Sequence, residues 1–143
     1  MQNFIVYQSS FSYTLKADEV IDITNDVENA VYRAGIKNGI CNIFAIGSTS
    51  ALIISEYEKG HIKDLFDALE LISPSNKNYK HHERWHDDNG KSHVRAAFLQ
   101  QHLTLPVVKG KLYRGTWQNI LLINLDTTER NREVMITIQG SSD

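Results

Sequence analysis

The chain of 143 residues has a single cysteine, no excess of charge of either sign and no long apolar run. A lone cysteine excludes a disulfide within the chain. Cys41, set between Ile40 and Asn42 in an apolar stretch, reads as a buried structural thiol of a reducing compartment. Fifteen Lys and Arg against 17 Asp and Glu give a formal net charge of -2, which supplies no field for nucleic acid or an anionic membrane surface. No run approaches the roughly 18 apolar residues that span a bilayer, and the first residues lack a basic region followed by an apolar stretch. The expectation is a cytoplasmic protein with no membrane or nucleic-acid partner. A chain of this length buries roughly 68–70% of its unfolded surface, so any metal would serve function rather than hold the fold.

Periodicity sketches one α+β domain over residues 1 to 143. Residues 3 to 16 mix aromatic, β-branched and hydroxyl side chains and predict one long strand or two short ones. Val27, Ala30, Val31 and Ala34 recur at helical spacing, with Asn25 and Glu28 as a capping pair and Gly35 as the stop, predicting a helix over residues 25 to 35. Apolar runs at residues 40 to 46 and 50 to 56 read as buried strands. Ile62, Leu65, Phe66 and Leu69 predict a second helix over residues 61 to 72, ended by Ser73 and Pro74.

Residues 75 to 92 carry no apolar period and form a long polar excursion, of a kind that is often functional. Beyond it, Ser92 is placed to cap a short helix with Val94, Ala97 and Phe98 facing inward. A strand at residues 103 to 107 follows, with Pro106 suggesting an edge. Residues 117 to 125 and 132 to 139 complete the β content, joined by a polar hairpin loop at residues 126 to 131. In the last strand Val134, Ile136 and Ile138 alternate against Met135, Thr137 and Gln139. Two or three helices among about eight strands, not regularly interleaved, favour α+β over a doubly wound sheet.

Four of the six histidines, His81, His82, His86 and His93, crowd into the polar excursion beside Glu83, Asp87 and Asp88. Imidazoles with a carboxylate suit zinc or another divalent ion with a position open for water or substrate, or proton transfer. In the metal reading His81, His82, His86 and His93 are ligands; His86, His93, Glu83 and Asp87 are the catalytic candidates. A solvated loop whose histidines bind nothing is the alternative. Ser92, Arg95 and the start of their helix form a candidate phosphate seat, and the hydroxyl-rich turn with Ser48 and Thr49 a weaker one. Thr116 and Gln118 flank Trp117 and are placed to direct polar groups into a cleft, although a tryptophan there more often belongs to the core. His61 and His102 stand alone and read as structural.

The block from Tyr79 through His81, His82, Glu83, Trp85, His86, Asp87, Asn89, Gly90, Ser92 and His93 to Arg95 resembles the YjbQ-type, or secondary thiamine-phosphate synthase, family. Asp22-Ile23-Thr24, Leu103-Thr104-Leu105-Pro106-Val107, Gly110-Lys111-Leu112 and Gly115-Thr116-Trp117-Gln118 extend the resemblance over nearly the whole chain. It implies a β-sandwich-like core, a homotrimer with sites near subunit contacts, and a site comprising His81 or His82, His86, His93, Arg95, Trp117 and Gln118. Many members carry His-Thr-Thr where this chain has Gly47-Ser48-Thr49. A histidine that the resemblance leads one to expect is therefore absent; either His82 and His86 compensate or the chemistry differs.

The activity implied is a thiamine-phosphate synthase-like transfer, joining a pyrimidine diphosphate to a thiazole phosphate with loss of pyrophosphate. Its substrates are small phosphorylated metabolites, and zinc or magnesium is the expected cofactor. Two alternatives remain. One is a metal-dependent hydrolase with Glu83 or Asp87 as general base, and the other a non-enzymatic trimer that binds metal or metabolite.

Overall fold

A computed structural model describes residues 3–143. The first strand is unbroken: β1 (Phe4–Leu15) alternates exposed and inward residues over its full length. β2 (Val20–Asp22) leads into α1 (Thr24–Ala34), and the start differs in detail from the sequence reading. The N-cap position is Ile23 rather than Asn25, and Asp22 just before it accepts the Thr24 N–H at 2.9 Å and the Thr24 hydroxyl at 2.5 Å through Oδ1. Glu28 is drawn away instead to Arg114, 3.2 Å distant. Gly35 ends the helix at φ 67°, a left-handed turn that glycine adopts without the penalty of a Cβ.

β3 (Asn38–Ala45), β4 (Ser50–Ser55) and α2 (Lys59–Ile72) follow the expected order. The polar excursion is not structureless. It holds a one-turn helix, α3 (Lys80–Trp85), ahead of α4 (Gly90–Leu99). α4 begins two residues before Ser92, so Ser92 lies inside the first turn instead of capping it. Its inward residues are Ser92, Arg95 and Ala96, whereas Phe98 is 65% exposed and Ala97 also faces out. The helix is rotated from the expected face because the Arg95 guanidinium is drawn inward to the end of α2. β5 (His102–Val108), β6 (Lys111–Leu112), β7 (Asn119–Asn124) and β8 (Arg130–Ser141) complete the chain.

All pairings are antiparallel. One sheet runs β1-β8-β3-β5-β6 and the other β2-β7-β4. Between them lies the main core, where Leu15, Ile43, Ile120, Leu122, Ile136 and Ile138 meet Val27 and Val31 of α1. The far side of the small sheet is covered by α2 and α4, through Ala51, Ile123 and Leu125 against Leu69 and Ala96. β7 is thus buried on both faces, which is why residues 120 to 123 are uniformly apolar. Among the described residues the fold is α+β with two packed antiparallel sheets and four helices. No described helix is long and apolar enough to cross a membrane.

The outer face of the large sheet is left open. Val6, Gln139, Ile40 and Pro106 form one row across four strands, and Ser10, Met135, Phe44 and His102 another. Across β1, β8, β3 and β5, neither these rows nor those of Phe4 and Gln8 contain a Lys, Arg, Asp or Glu, whereas Lys111 of β6 ends the Phe4 row and Glu133 lies opposite Ser12 in the next row.

Candidate active site

Three segments meet at one end of the small sheet: the β3–β4 turn at residues 47 to 49, the end of β7 with the start of β8, and the α3–α4 region. They enclose a cleft of about 270 Å³ lined by Gly47, Ser48, Thr49, Asn89, His93, Asp126, Arg130 and Arg132. Asn124, fully buried, braces its floor. The Asn124 amide nitrogen donates to the carbonyls of Leu15, Lys16 and Thr128, and its oxygen accepts from the Asp126 N–H and from Arg132 Nη2.

Asp126 is 3% exposed, yet every interaction it makes favours the carboxylate. Burial pushes its pKa up, but the Thr127 N–H at 2.7 Å, the Thr49 hydroxyl at 3.0 Å and Arg130 Nε at 3.1 Å outweigh burial and hold it below the ordinary range. Arg132 is also buried, and its Nη2 donates to Thr49 Oγ1 at 2.5 Å and to Asn124 Oδ1 at 2.7 Å. Gly47 sits above it at φ 118°; a Cβ there would fall 2.5 Å from Arg132 Nη1.

His93 forms the opposite wall. Its ring lies 4.3 Å from that of His81, centroid to centroid, with the planes tilted by 36°. Asp87 Oδ1 stands 3.2 Å from His81 Nδ1, which fixes the proton on that nitrogen. Partial burial, and then the proximity of His81, lower the His93 pKa, while Asp126 and Asp87 pull the other way without prevailing. His93 is therefore a neutral base facing the cleft near pH 7. The Asn89 amide nitrogen turns to Asp87, 2.9 Å from Oδ1, since the opposite orientation leaves only a 3.4 Å contact to Asp126.

The structure divides the residues singled out from the sequence. Ser48, Thr49 and His93 line the cleft, with His81 and Asp87 behind His93. His82 and His86 form a separate edge-to-face pair with centroids 5.9 Å apart, and His82 Nδ1 accepts the Asp88 N–H at 3.0 Å. Glu83 and His86 are exposed, and Glu83 pairs only loosely with Lys80 at 3.7 Å. Four histidines thus make two pairs instead of one cluster. Among the described residues no three His, Cys, Asp or Glu side chains are grouped to hold a metal ion.

Arg95 is not part of the cleft. Its Nε and Nη2 donate to the Ser73 carbonyl at 3.0 and 2.9 Å, and Nη2 meets Glu70 Oε2 at 2.8 Å. Ser92 is fully buried with its hydroxyl unpartnered. Trp117 is 71% exposed rather than in the core, and Gln118 Oε1 accepts the Gly115 N–H at 2.7 Å to close its own turn. That turn, with Thr116, precedes β7 at the end away from Asp126, about 17 Å along the strand at ~3.4 Å per residue.

Sequence reasoning passed over Asn89, Asp126, Arg130 and Arg132 as cleft residues. A signal for Arg132 was present: position 132 shares the parity of Val134, Ile136 and Ile138, so an arginine stands on the apolar side of β8.

The fold and cleft define a small α+β protein with a polar pocket at a sheet end. The family model described as UPF0047 protein YjbQ-like matches residues 9–141, and the chain belongs to that family. It is 39% identical over 127 residues to a UPF0047 protein of Methanothermobacter thermautotrophicus, covering 89% of this chain and 87% of the relative. A UPF0047 protein of Methanocaldococcus jannaschii is 29% identical over 140 residues, covering 95% and 98%. The crystal structure of a YbjQ-like protein of unknown function from Sulfolobus solfataricus superposes with a TM-score of 0.89 at 37% identity, covering 96% of this chain and 99% of that one. An uncharacterised YjbQ/UPF0047 protein from Clostridium acetobutylicum gives 0.78 at 30% identity, covering 90% and 98%.

Proposed function

We propose that the cleft is the active site of an enzyme acting on a small metabolite, with His93 as the group that accepts a proton. The observation that carries this reading is the arrangement of Asp87, His81 and His93. The carboxylate fixes His81, and His81 packs against His93 and keeps it neutral at the cleft wall. The neutral His93 favours hydrolysis of a small phosphorylated ester, because activating water requires a base. A thiamine-phosphate synthase-like transfer, in which a thiazole nitrogen displaces pyrophosphate from a pyrimidine diphosphate, releases no proton and is the second reading, proposed from the family resemblance. No step is routed through a metal.

The test is a screen of phosphorylated small molecules, including the pyrimidine diphosphate with and without the thiazole phosphate, read as phosphate or pyrophosphate release. Pyrophosphate release that requires the thiazole supports transfer, and phosphate release with water alone supports hydrolysis. His93→Gln should lower kcat by about 10²–10⁴. Equal turnover by the variant, or no turnover with any compound, overturns the reading.

We also propose a homotrimer formed through the open face of the large sheet, whose central rows carry no charged side chain. In such an assembly the exposed Trp117 turn of one copy is free to approach the cleft of the next, which it cannot do within its own chain.

A further inference from the structure

His61 stands alone in the sequence but not in the fold. Its Nε2 lies 2.6 Å from Oγ of Ser55, between the first turn of α2 and the end of β4. Both side chains are only partly buried, so the pair is within reach of a dissolved molecule. Strand alternation brings Ser55 there: it shares the parity of Ala51 and Ile53, whose side chains pack beneath α2 and α4. His61 is fixed by the start of its helix, where Glu58 Oε1 accepts its backbone N–H at 3.1 Å. An imidazole nitrogen at hydrogen-bond distance from a serine hydroxyl is the arrangement in which a base activates a nucleophile.

The neighbouring strand supplies a further polar group on the same face. Asn119 of β7 stands directly opposite Ser55 in the antiparallel register, a position that sets the two Cβ atoms roughly 5 Å apart. Its Nδ2 donates one hydrogen to Asp22 Oδ2 at 2.9 Å, and the other finds no acceptor among the described residues. Asp22 is held in turn, because its Oδ1 accepts from Thr24. A side-chain amide anchored in this way is the kind of donor that stabilises a developing oxyanion. Tyr57, Lys59 and Ile62, close to Ser55 and His61 in the chain, line a groove of about 340 Å³ with Asp18 and Val20. Val20, Ile62 and the Tyr57 ring give that groove an apolar wall suited to a short acyl chain. The constellation is separate from the Asp126 cleft, since Asn119 and Asn124 bound β7, about 17 Å apart at ~3.4 Å per residue.

We propose that Ser55 and His61 form a second catalytic site, a nucleophile with its base, acting on carboxylic esters of short acyl chains. Ser55 Oγ attacks the carbonyl carbon while its proton passes to His61 Nε2, and the carbonyl oxygen becomes an oxyanion beside the Asn119 amide. Collapse of this intermediate breaks the ester C–O bond. The departing oxygen takes the proton from His61, so an alcohol leaves and Ser55 stays acylated. Water then attacks the acyl carbon and gives a proton to His61. The second collapse expels Ser55 Oγ, which recovers that proton, and releases the carboxylic acid. Water is the only co-reactant, and neither a phosphoryl group nor His93 takes part.

The experiment uses two probes on the full chain: p-nitrophenyl acetate as a substrate and an alkyl fluorophosphonate as a serine label. Wild type is expected to release nitrophenol faster than free imidazole at equal concentration, and to carry the label on Ser55, located by peptide mass spectrometry. Ser55→Ala should lose both the label and the turnover. His61→Gln should lower kcat by about 10²–10⁴, and Asn119→Ala by about 10²–10³ with KM little changed. Should a variant fail to fold, the wild-type label decides, because the modified residue is identified without any substitution. No label, a label on another residue, or unchanged turnover in any folded variant overturns the proposal and leaves the Ser55–His61 bond a structural tie at the start of α2.

Discussion

Arg95 on α4 reaches across to the last turn of α2, where Nη2 stands 2.8 Å from Glu70 Oε2 and shares the Ser73 carbonyl with Nε. Ser73 is itself buried, so this arginine ties two helices together beneath the small sheet. Arg95→Ala should leave the Ser73 carbonyl without its partner, at about 2–3 kcal/mol, which is roughly a 5–10 °C fall in Tm for a chain of this size. Differential scanning calorimetry reads it. A midpoint within about 1 °C of wild type would remove Arg95 from the structural role given to it here.

Glu70 gives the same contact a pH dependence. The Ser75 N–H and hydroxyl, joined by Arg95, hold its carboxyl at about 2, against an ordinary 4.5. Because the folded value is depressed, the folded state binds fewer protons in this window. Its stabilising contribution is complete above 4.5 and fades as pH falls toward 2. Glu70→Gln should therefore narrow the gap to wild type as pH drops through that range. Parallel Tm curves from pH 5 to pH 2.5 would contradict the assignment.

The His93 titration reports on its neighbour. Burial and His81 together depress the His93 pKa, so His81→Phe, which keeps a ring but removes the charge, should raise it partway toward 6.5. Histidine Cε1 proton shifts followed by NMR provide the measurement. The sign for stability follows: a depressed histidine contributes fully above 6.5, and that contribution declines as pH falls toward its folded value. An unchanged or lowered His93 pKa in the variant would separate the two rings electrostatically.

The open face of the large sheet makes its own prediction. Phe44 is exposed in a row with Ser10, Met135 and His102, so Phe44→Glu should do little to the isolated fold and should block self-association. Sedimentation velocity on wild type and variant tests both halves. A monomeric wild type, or a variant that assembles equally well, would refute the proposed trimer.

Much of the fold was legible in the residues. The apolar period of two placed β8, helical spacing placed α1 and α2, and Gly35 marked a stop, because each is a local consequence of backbone geometry. The motifs also carried the family, now shown by the match over residues 9–141. Of the candidate site, His93, Ser48 and Thr49 line the cleft, with His81 and Asp87 behind His93. Only the tertiary structure separated His82 and His86 from His93, since a one-turn helix points neighbouring histidines in different directions. It also removed Arg95 from the cleft: two helices 25 positions apart at the pairing residues meet only after packing. Arg132 joined Thr49 through a contact spanning 83 positions, and Asp126 joined the same turn across 77. Local pattern determines which residues form strands and helices; which polar groups share a pocket is decided by how the two sheets close.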